Sequence, residues 1–312
     1  MKKLISLLLI LITILCSCSA PTEKKKDEEK QVKYTVYSEG DWSDNCVDTP
    51  LFKEGSEKVI SYTLGASKFY FTDTVIDNPK APRQKSLTID GKECSLKFTK
   101  SYSNGLSSSE NTRLHSVGKF DRYDGYDDTT GDFETTAEFN QKSGQLVFFM
   151  FYNNNVKCEV DPNFNADAAK NKADQLIKEL YGEDTLKAYT HYKTFEPNYD
   201  EYHPEYSVMY MRKIHGYETE ETIMVRFKLD GSLYSINALS LGYFEGAEKE
   251  FTKEDVENAY KVLCDSLHDS WTNISKPQLV IDTNGDYYIC VCTTRPGNDG
   301  ESSLQQFYIN IK

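Results

Sequence analysis

Acidic side chains are concentrated between residues 121 and 134. This segment contains Asp121, Asp124, Asp127, Asp128, Asp132 and Glu134. A hard cation such as Ca²⁺ needs several oxygen ligands in one place. The ligand spacing of an EF-hand is absent around both Gly125 and Gly131. We interpret residues 121–134 as a solvated loop between strands, and cation binding there is an open alternative.

Ser116 and Lys119 have the S-x-x-K spacing of the acyl-transfer motif of penicillin-binding enzymes. That chemistry requires the lysine to lie one helical turn from the nucleophile, but the flanking sequence is typical of strand and loop. The S-D-N and K-T-G partner motifs are also absent. We attribute the match to chance. No H-E-x-x-H, P-loop or G-x-G-x-x-G is present, so neither a metal nor another cofactor is expected.

A second group of polar and aromatic residues lies between His191 and Glu205. It comprises Tyr192, Phe195, Glu196, Tyr199, Asp200, Glu201, Tyr202 and His203. Rings beside carboxylates could stack on a sugar or bind a peptide, although packing on adjacent strands is the simpler interpretation. Asp200 with Glu201 or Glu205 would suit an alternative function, a secreted carboxylate-dependent hydrolase. A glycosidase of that kind holds two carboxyl groups about 5 to 10 Å apart across a cleft. No catalytic residue is assigned.

Residues 1–17 are typical of a signal peptide. Lys2 and Lys3 precede an apolar run, Leu4 to Leu15, which is interrupted only by Ser6 and Thr13. At about 1.5 Å per residue this run spans about 18 Å, which is too short for a hydrocarbon core of about 30 Å. It therefore indicates a cleaved signal rather than a membrane span.

Leu15-Cys16-Ser17-Cys18 closes the apolar run and resembles the lipobox of bacterial lipoprotein precursors. The resemblance implies cleavage before Cys18 and a diacylglycerol on its thiol. Cleavage before Cys16 is a poorer match, because Leu15 rather than the small Ser17 would precede the cut. Two acyl chains hold a protein stably on a bilayer. We predict lipid attachment at Cys18 and a location on the extracytoplasmic face of the cell membrane.

The charge of the chain is strongly acidic. The precursor has a net charge of −13, and loss of Lys2 and Lys3 with the signal would bring the mature chain to about −15. Such a surface repels phosphate backbones, so nucleic acid is not an expected partner. Residues 18–33 contain the charged run Lys24 to Lys30 and almost nothing apolar. We interpret them as a solvated tether.

Six cysteines remain after the predicted cleavage site, and an even number outside the cell permits up to three disulfides. Cys290 and Cys292 are two residues apart on a predicted strand, where a disulfide between them would be awkward. Both disulfides and free thiols are compatible with the sequence, and no pairing is assigned. The six are Cys46, Cys94, Cys158, Cys264, Cys290 and Cys292.

Alternating apolar residues predict several hairpins. Val59–Leu64 and Lys68–Thr72 flank Gly65-Ala66-Ser67, and Asp90-Gly91 separates two further alternating runs. Another hairpin joins 133–139 to 145–152. Helical spacing appears after Asn165 and again after Thr252, where Asp255 could complete a capping box. Strands follow each predicted helix, at 206–239 and at 278–311.

Part of the sequence resembles the PepSY-like repeat. The resemblance covers four successive stretches: Glu205 to Tyr210, Ile214 to Tyr217, Ile223 to Leu229 and Asp230-Gly231. The helix from Ala166 to Leu180 suits its first half, and residues 252–311 resemble a looser copy. The resemblance implies non-catalytic, extracytoplasmic modules of the kind found in Gram-positive surface lipoproteins, which bind or restrain peptidases or envelope components.

We therefore predict an α+β fold with antiparallel meanders, each covered by an amphipathic helix, in tandem PepSY-like units. The predicted segments are the signal peptide 1–17, the tether 18–33, a mainly antiparallel β domain 34–160, a helix-meander unit 161–250 and a shorter helix-strand unit 251–312. The predicted function is that of a membrane-anchored, non-catalytic binding or regulatory module for a protein, peptide or envelope glycan.

Overall fold

The computed structural model describes a large part of the chain beyond the predicted tether. The described residues are 33–40, 50–64, 71–106, 118–126, 130–152, 160–197, 204–282, 285–296 and 302–311. The predicted signal peptide and Cys18 lie outside them, and residues 34–312 are assigned to one structural unit. Within the described ranges, no helix is both long and apolar enough to cross a membrane.

Fifteen strands form one sheet in the described residues, with the path β2-β1-β15-β14-β13-β11-β12-β8-β7-β6-β5-β3. From this path β10 and then β9 extend from β11, and β4 pairs with β5. The pairs β1–β2 and β11–β13 are parallel and the others are antiparallel. The strands are β1 Tyr34–Gly40, β2 Ile60–Leu64, β3 Phe71–Ile76, β4 Gln84–Ile89, β5 Lys92–Leu106, β6 Lys119–Tyr126, β7 Phe133–Asn140, β8 Leu146–Phe151, β9 His191–Phe195, β10 Tyr206–Ile214, β11 Tyr217–Phe227, β12 Leu233–Asn237, β13 Gln278–Ile281, β14 Tyr287–Pro296 and β15 Ser302–Asn310.

The predicted fold class is wrong. The protein is not a tandem array of helix-covered meanders but a mainly β structure with one mixed sheet. The described residues contain three α-helices: α1 Ala166–Tyr181, α2 Glu183–Ala188 and α3 Lys253–Ser266. The predicted meander β10–β11–β12 is present, but β8 pairs with β12 and β13 pairs with β11. Alternation in sequence predicts strands without revealing which strand edges will be paired. The segment boundaries at 160 and 250 stay predictions.

Two of the predicted hairpins are confirmed. Asp90 and Gly91 connect β4 to β5 with φ angles of 50° and 72°, as a two-residue turn with both central residues left-handed requires. The hairpin of β7 with β8 is also present. The turn Gly65-Ala66-Ser67 of the third predicted hairpin lies outside the described residues. Among the described residues, β2 pairs in parallel with β1, and β3 pairs with β5.

Both long helices begin where their capping residues predict. Asn165 accepts a hydrogen bond from the backbone N–H of Ala168 at the start of α1. Thr252 and Asp255 form the predicted capping box of α3. Each helix buries one apolar stripe: Ala169, Ala173, Leu176 and Ile177 on α1, and Val256, Ala259 and Leu263 on α3. These stripes belong to two separate hydrophobic cores.

The strand register defines the two faces of the half of the sheet beneath α1, because residues directly opposite on paired strands share a face. One row belongs largely to the core that contains α1: Val208, Val225, Ile236, Phe149, Ala137, Tyr123 and Phe98. The row one residue along each strand lies on the opposite face, which we call the outer face: Phe195, Ser207, Arg226, Ser235, Met150, Thr136, Asp124, Lys97 and Gln84.

Candidate binding surface

A cluster of polar side chains, which we call the Arg122 cluster, lies on the outer face across β6 and β7. The guanidinium of Arg122 donates from Nε to Oδ1 of Asp124 at 3.2 Å and from Nη2 to Oγ1 of Thr136 at 3.2 Å. Its Nη1 lies 3.9 Å from Oε1 of Glu138. The hydroxyl of Thr136 donates in turn to Asp124 at 2.9 Å. Tyr102 completes the cluster by donating its hydroxyl to Oε2 of Glu138 at 2.5 Å.

Charge and burial together determine the protonation of Arg122. Partial burial of the Arg122 guanidinium lowers its pKa, but the carboxylates of Asp124 and Glu138 outweigh burial and raise the pKa above its ordinary value. Arg122 is therefore a permanent cation between two carboxylates. Its side chain is 30% exposed, whereas Asp124 and Glu138 are buried. A ligand on the outer face would meet polar groups that are already held in position by one another.

Three aromatic rings lie at strand ends near the Arg122 cluster: Tyr126 at the end of β6, Phe133 at the start of β7 and Tyr152 directly after β8. Tyr126 and Phe133 are 43% and 37% exposed, and their ring centroids lie 5.8 Å apart in an edge-to-face arrangement. Phe133 also packs against the ring of Tyr152 at 4.7 Å. Exposed, mutually supported rings offer a rigid apolar surface at low conformational cost. Beside charged and hydroxyl groups, such rings suit a ligand with alternating apolar and polar surface, such as a sugar chain.

The predicted acidic loop is a strand over residues 121–126. Asp124 belongs to the Arg122 cluster, and Asp121 accepts hydrogen bonds from Asn78 Nδ2, Ser101 Oγ and Gln141 Nε2 at 3.0, 2.6 and 2.8 Å. Asp127 and Asp128 lie outside the described residues. No group of three or more His, Cys, Asp or Glu in the described ranges could hold a metal ion. Of the S-x-x-K match, Lys119 begins β6 and Ser116 lies outside the described residues.

The aromatic and acidic stretch from His191 to Glu205 is described only at its two ends. Tyr192 and Phe195 are exposed on β9, and Lys170 Nζ lies 4.4 Å from the ring centroid of Tyr192. Glu205 forms an ion pair with Arg226 at 3.2 Å. The other members proposed for a hydrolase, Asp200 and Glu201, lie outside the described residues.

The described histidines have separate environments. His191 Nε2 lies 3.2 Å from Glu218, and the ring of His215 lies 2.8 Å from the carbonyl of Phe251. His268 Nδ1 contacts the hydroxyl of Ser270 at 2.9 Å. These contacts are local, and the residues do not converge on one catalytic arrangement.

Cys94 and Cys264 are free thiols. Burial raises the pKa of both, and nearby carboxylates add to the effect, so both are poor nucleophiles at neutral pH. Cys290 and Cys292 occupy one face of β14, as their spacing predicts, within a small cluster with Tyr288 and Tyr308. Cys46 and Cys158 lie outside the described residues, as does the predicted lipid attachment site, Cys18.

The Arg122 cluster was not identified from the sequence. Of its residues, Thr136 and Glu138 lie within the predicted strand 133–139. The missing element was β6, because its aspartates and Gly125 suggested a loop. Within β6, Phe120, Arg122 and Asp124 alternate with Asp121, Tyr123 and Gly125. Polar residues on both faces conceal the alternation that identifies a strand.

Comparisons with known proteins give little further information. Neither a protein family nor a curated protein matches the sequence. The C-terminal domain of Bacillus megaterium YpeB is similar in structure over 63% of this chain and 80% of that chain, at 15% sequence identity and a TM-score of 0.31. A similarity at this distance leaves the function to be argued from the geometry.

Proposed function

We propose that the protein is a lipid-anchored binding protein on the extracytoplasmic face of the cell membrane, and that it holds an envelope glycan on its outer face. The arrangement of the Arg122 cluster beside the exposed rings of Tyr126 and Phe133 carries the proposal. Rings can stack on the apolar faces of sugars, while guanidinium, hydroxyl and carboxylate groups hydrogen-bond to sugar hydroxyls.

The anchor is a proposal from the sequence. The apolar run of residues 4–15 ends in Leu15-Cys16-Ser17-Cys18, which has the form of a lipobox, and a charged segment of low hydrophobicity follows it. A tether of this kind would leave the folded part free to reach ligands beside the membrane. Diacylated Cys18 would keep it at that surface.

The binding surface can be tested with the full chain solubilised in detergent. Insoluble envelope glycan is incubated with the protein and sedimented, and the bound fraction is measured against protein concentration. An aromatic anchor at the centre of an interface often contributes about 2 kcal/mol or more, and about 1.4 kcal/mol corresponds to tenfold in affinity. We therefore expect Phe133→Ala to weaken binding at least about tenfold.

The matched control is Tyr62→Ala on β2. Tyr62 is 52% exposed and packs against Phe52 with ring centroids 5.0 Å apart, much as Phe133 packs against Tyr152. Equal loss of binding in both variants, or unchanged binding by Phe133→Ala, would contradict the proposed surface. Release of soluble sugar during incubation would favour the hydrolase alternative.

A further inference from the structure

The hairpin of β4 and β5 carries a concentration of positive charge. Residues 80–100 contain six Lys or Arg against only Asp90 and Glu93, a local charge of +4 in a chain of −13. In the described residues, no carboxylate forms an ion pair with the following five cations of this segment: Arg83, Lys85, Lys92, Lys97 and Lys100. We call these five side chains the basic hairpin.

Aromatic rings, rather than carboxylates, position four of the five cations. Lys85 Nζ lies 4.1 Å from the ring centroid of Phe139, and Lys92 Nζ lies 4.8 Å from that of Phe151. Arg83 over Phe98 and Lys100 over Tyr102 are both at 5.3 Å. A cation–π contact restrains a cation without cancelling its charge. The positive charge of these four cations is thus not cancelled by their ring contacts.

The acidic residue at the hairpin turn is already neutralised. Asp90 forms an ion pair with Lys172 of α1 at 2.8 Å and also accepts the backbone N–H of Leu233 at 3.0 Å. Lys172 additionally donates to the carbonyl of Gly231 at 2.8 Å. The local excess of positive charge is therefore not reduced by its own turn.

A shallow cavity of about 330 Å³ lies on this hairpin. It is lined by Gln84, Lys85, Ser86, Ser95, Leu96 and Lys97. The side chain of Lys85 lies opposite Leu96 on the core-facing side of the hairpin, whereas that of Lys97 lies on the outer face. Gln84 pairs with Lys97 and Ser86 with Ser95, so their side chains share the outer face. Lysine binds phosphate as a point charge, and hydroxyl and amide groups supply further donors to its oxygens.

The cavity adjoins the aromatic part of the proposed glycan surface. Leu96 lies directly opposite Gly125 on β6, and the next residue of β6 is Tyr126, whose ring is exposed. Lys97 lies opposite Asp124 of the Arg122 cluster. A chain of sugar units could therefore cross from the rings to the basic hairpin within neighbouring strands, about 4.8 Å apart.

We propose that Lys97 and Lys100, the cations of the basic hairpin that lie opposite Asp124 and Arg122 on the outer face, bind phosphate groups carried by the glycan, so that the ligand is a phosphate-bearing polysaccharide. The inference rests on the proposed glycan-binding function and specifies its ligand class. Charge complementarity supports it, because the basic hairpin is an exception on a chain whose net charge repels polyanions elsewhere. The adjoining rings favour a sugar polymer over a lipid headgroup.

The test compares dextran with dextran carrying phosphate groups, using the detergent-solubilised full chain and a direct binding measurement. We expect the phosphorylated polymer to bind at least about tenfold more tightly, an advantage that should largely disappear between 0.1 and 1 M salt as the Debye length falls from about 10 to about 3 Å. Lys97→Gln, at an exposed side chain, and Lys97→Gln/Lys100→Gln, both on the outer face, should reduce the preference progressively.

Lys193→Gln/Lys213→Gln removes the same charge from exposed positions on β9 and β10 and should leave the preference intact. Equal loss in this control would overturn the inference. So would equal affinity for both dextrans, failure to bind dextran phosphate, or stronger lysine-dependent binding to phosphatidylglycerol vesicles. In each case, ring-dependent binding to envelope glycan would preserve the proposed function. Loss of that binding as well would refute both.

Discussion

The backbone N–H of Ile281 donates a hydrogen bond of 2.9 Å to Oε1 of Glu220. Glu220 lies on β11 and Ile281 on β13, beside the parallel pairing of Thr219 with Leu279. The bond therefore crosses the place where the core under α1 meets the core under α3. A carboxylate at this junction makes the connection between the two cores sensitive to protonation.

Glu220 should make stability depend on pH. Burial raises its pKa well above the ordinary value, and the charge of Glu221 raises it further, against the lowering effect of the Ile281 bond. The folded state thus holds the proton more tightly than the unfolded chain, whose glutamate pKa is about 4.3. This stabilisation is present below that pH and is lost as pH rises towards the folded pKa, by at most about 1.4 kcal/mol per pH unit.

Glu220→Gln should remove this dependence while retaining an oxygen for Ile281. Urea unfolding at a series of pH values should show the variant gaining free energy of unfolding relative to the wild type as pH rises above about 4.3. An identical difference at every pH would count against the role of Glu220. Glu93→Gln, at an exposed position on β5, serves as the control.

Removal of the Glu221 carboxylate should lower the free energy of unfolding strongly. Its carboxylate is fully buried and accepts hydrogen bonds from the backbone N–H groups of Gly242 and Phe244 at 2.6 and 2.8 Å. The hydroxyl of Tyr189 also donates to it, and Arg212 lies 3.6 Å away. Glu221→Ala would leave these donors without their acceptor, and we expect a loss of about 3 to 5 kcal/mol in free energy of unfolding by urea titration.

A smaller loss is expected for Glu221→Gln, which retains an acceptor oxygen. If Glu221→Ala and Glu221→Gln proved equally and only slightly destabilising, the hydrogen bonds would not be the source of stability. Glu218→Ala provides a comparison on the same strand, because the Glu218 side chain is 37% exposed in its pairing with His191.

Replacement of Arg122 by lysine should destabilise the protein. Lysine can supply one ammonium but not the separate Nε and Nη donors that contact Asp124 and Thr136. We expect Arg122→Lys to lower the free energy of unfolding by about 1.5 to 3 kcal/mol, the range for hydrogen bonds to charged groups. Arg226→Lys, whose partner Glu205 forms a more exposed pair, should cost about 1 kcal/mol or less. Similar losses would mean that geometry within the Arg122 cluster is unimportant.

Alanine substitutions at Gly231 and Gly144 distinguish the cost of backbone strain from the cost of steric overlap. Their φ angles are 78° and 72°, so alanine is strained at both positions by about 1 to 2 kcal/mol. A Cβ at Gly231 would lie 2.7 Å from Cδ2 of Phe164, whereas nothing lies within 4 Å of one at Gly144. Thermal unfolding should therefore show Gly231→Ala to be the more destabilised variant. Equal melting temperatures would indicate that Phe164 moves aside freely.

Cys18 should determine attachment to the membrane. Cys18→Ala is expected to release the protein from the membrane fraction or to accumulate as uncut precursor, because the thiol that would carry the diacylglycerol is gone. Fractionation and labelling with a fatty-acid probe measure both outcomes. Label that persists in Cys18→Ala but disappears in Cys16→Ala would assign the anchor to Cys16.

Local features of the fold could be predicted from sequence, because they depend on neighbouring residues. Asn165, Thr252 and Asp255 identify two helix starts, and Asp90-Gly91 identifies a hairpin. The continuous sheet could not be predicted from sequence, because the strand that pairs with each edge of the meander lies far away in sequence. The Arg122 cluster combines β5, β6 and β7, and its central strand has polar residues on both faces. The cluster is therefore defined by the pairing of the three strands and not by the pattern of residues within any one of them.

The position of β1 between β2 and β15 has a consequence for folding kinetics. The backbone N–H of Thr35 donates to Oδ1 of Asn310 at 2.7 Å, across a sequence separation of 275 residues. Such distant pairings slow folding, because the entropy of closing a long loop is lost before the stabilising contacts form. Until β15 is available, one edge of β1 stays open to pairing with other chains. Shielding β1 until β15 has been synthesised would therefore protect the folding chain from aggregation at this strand.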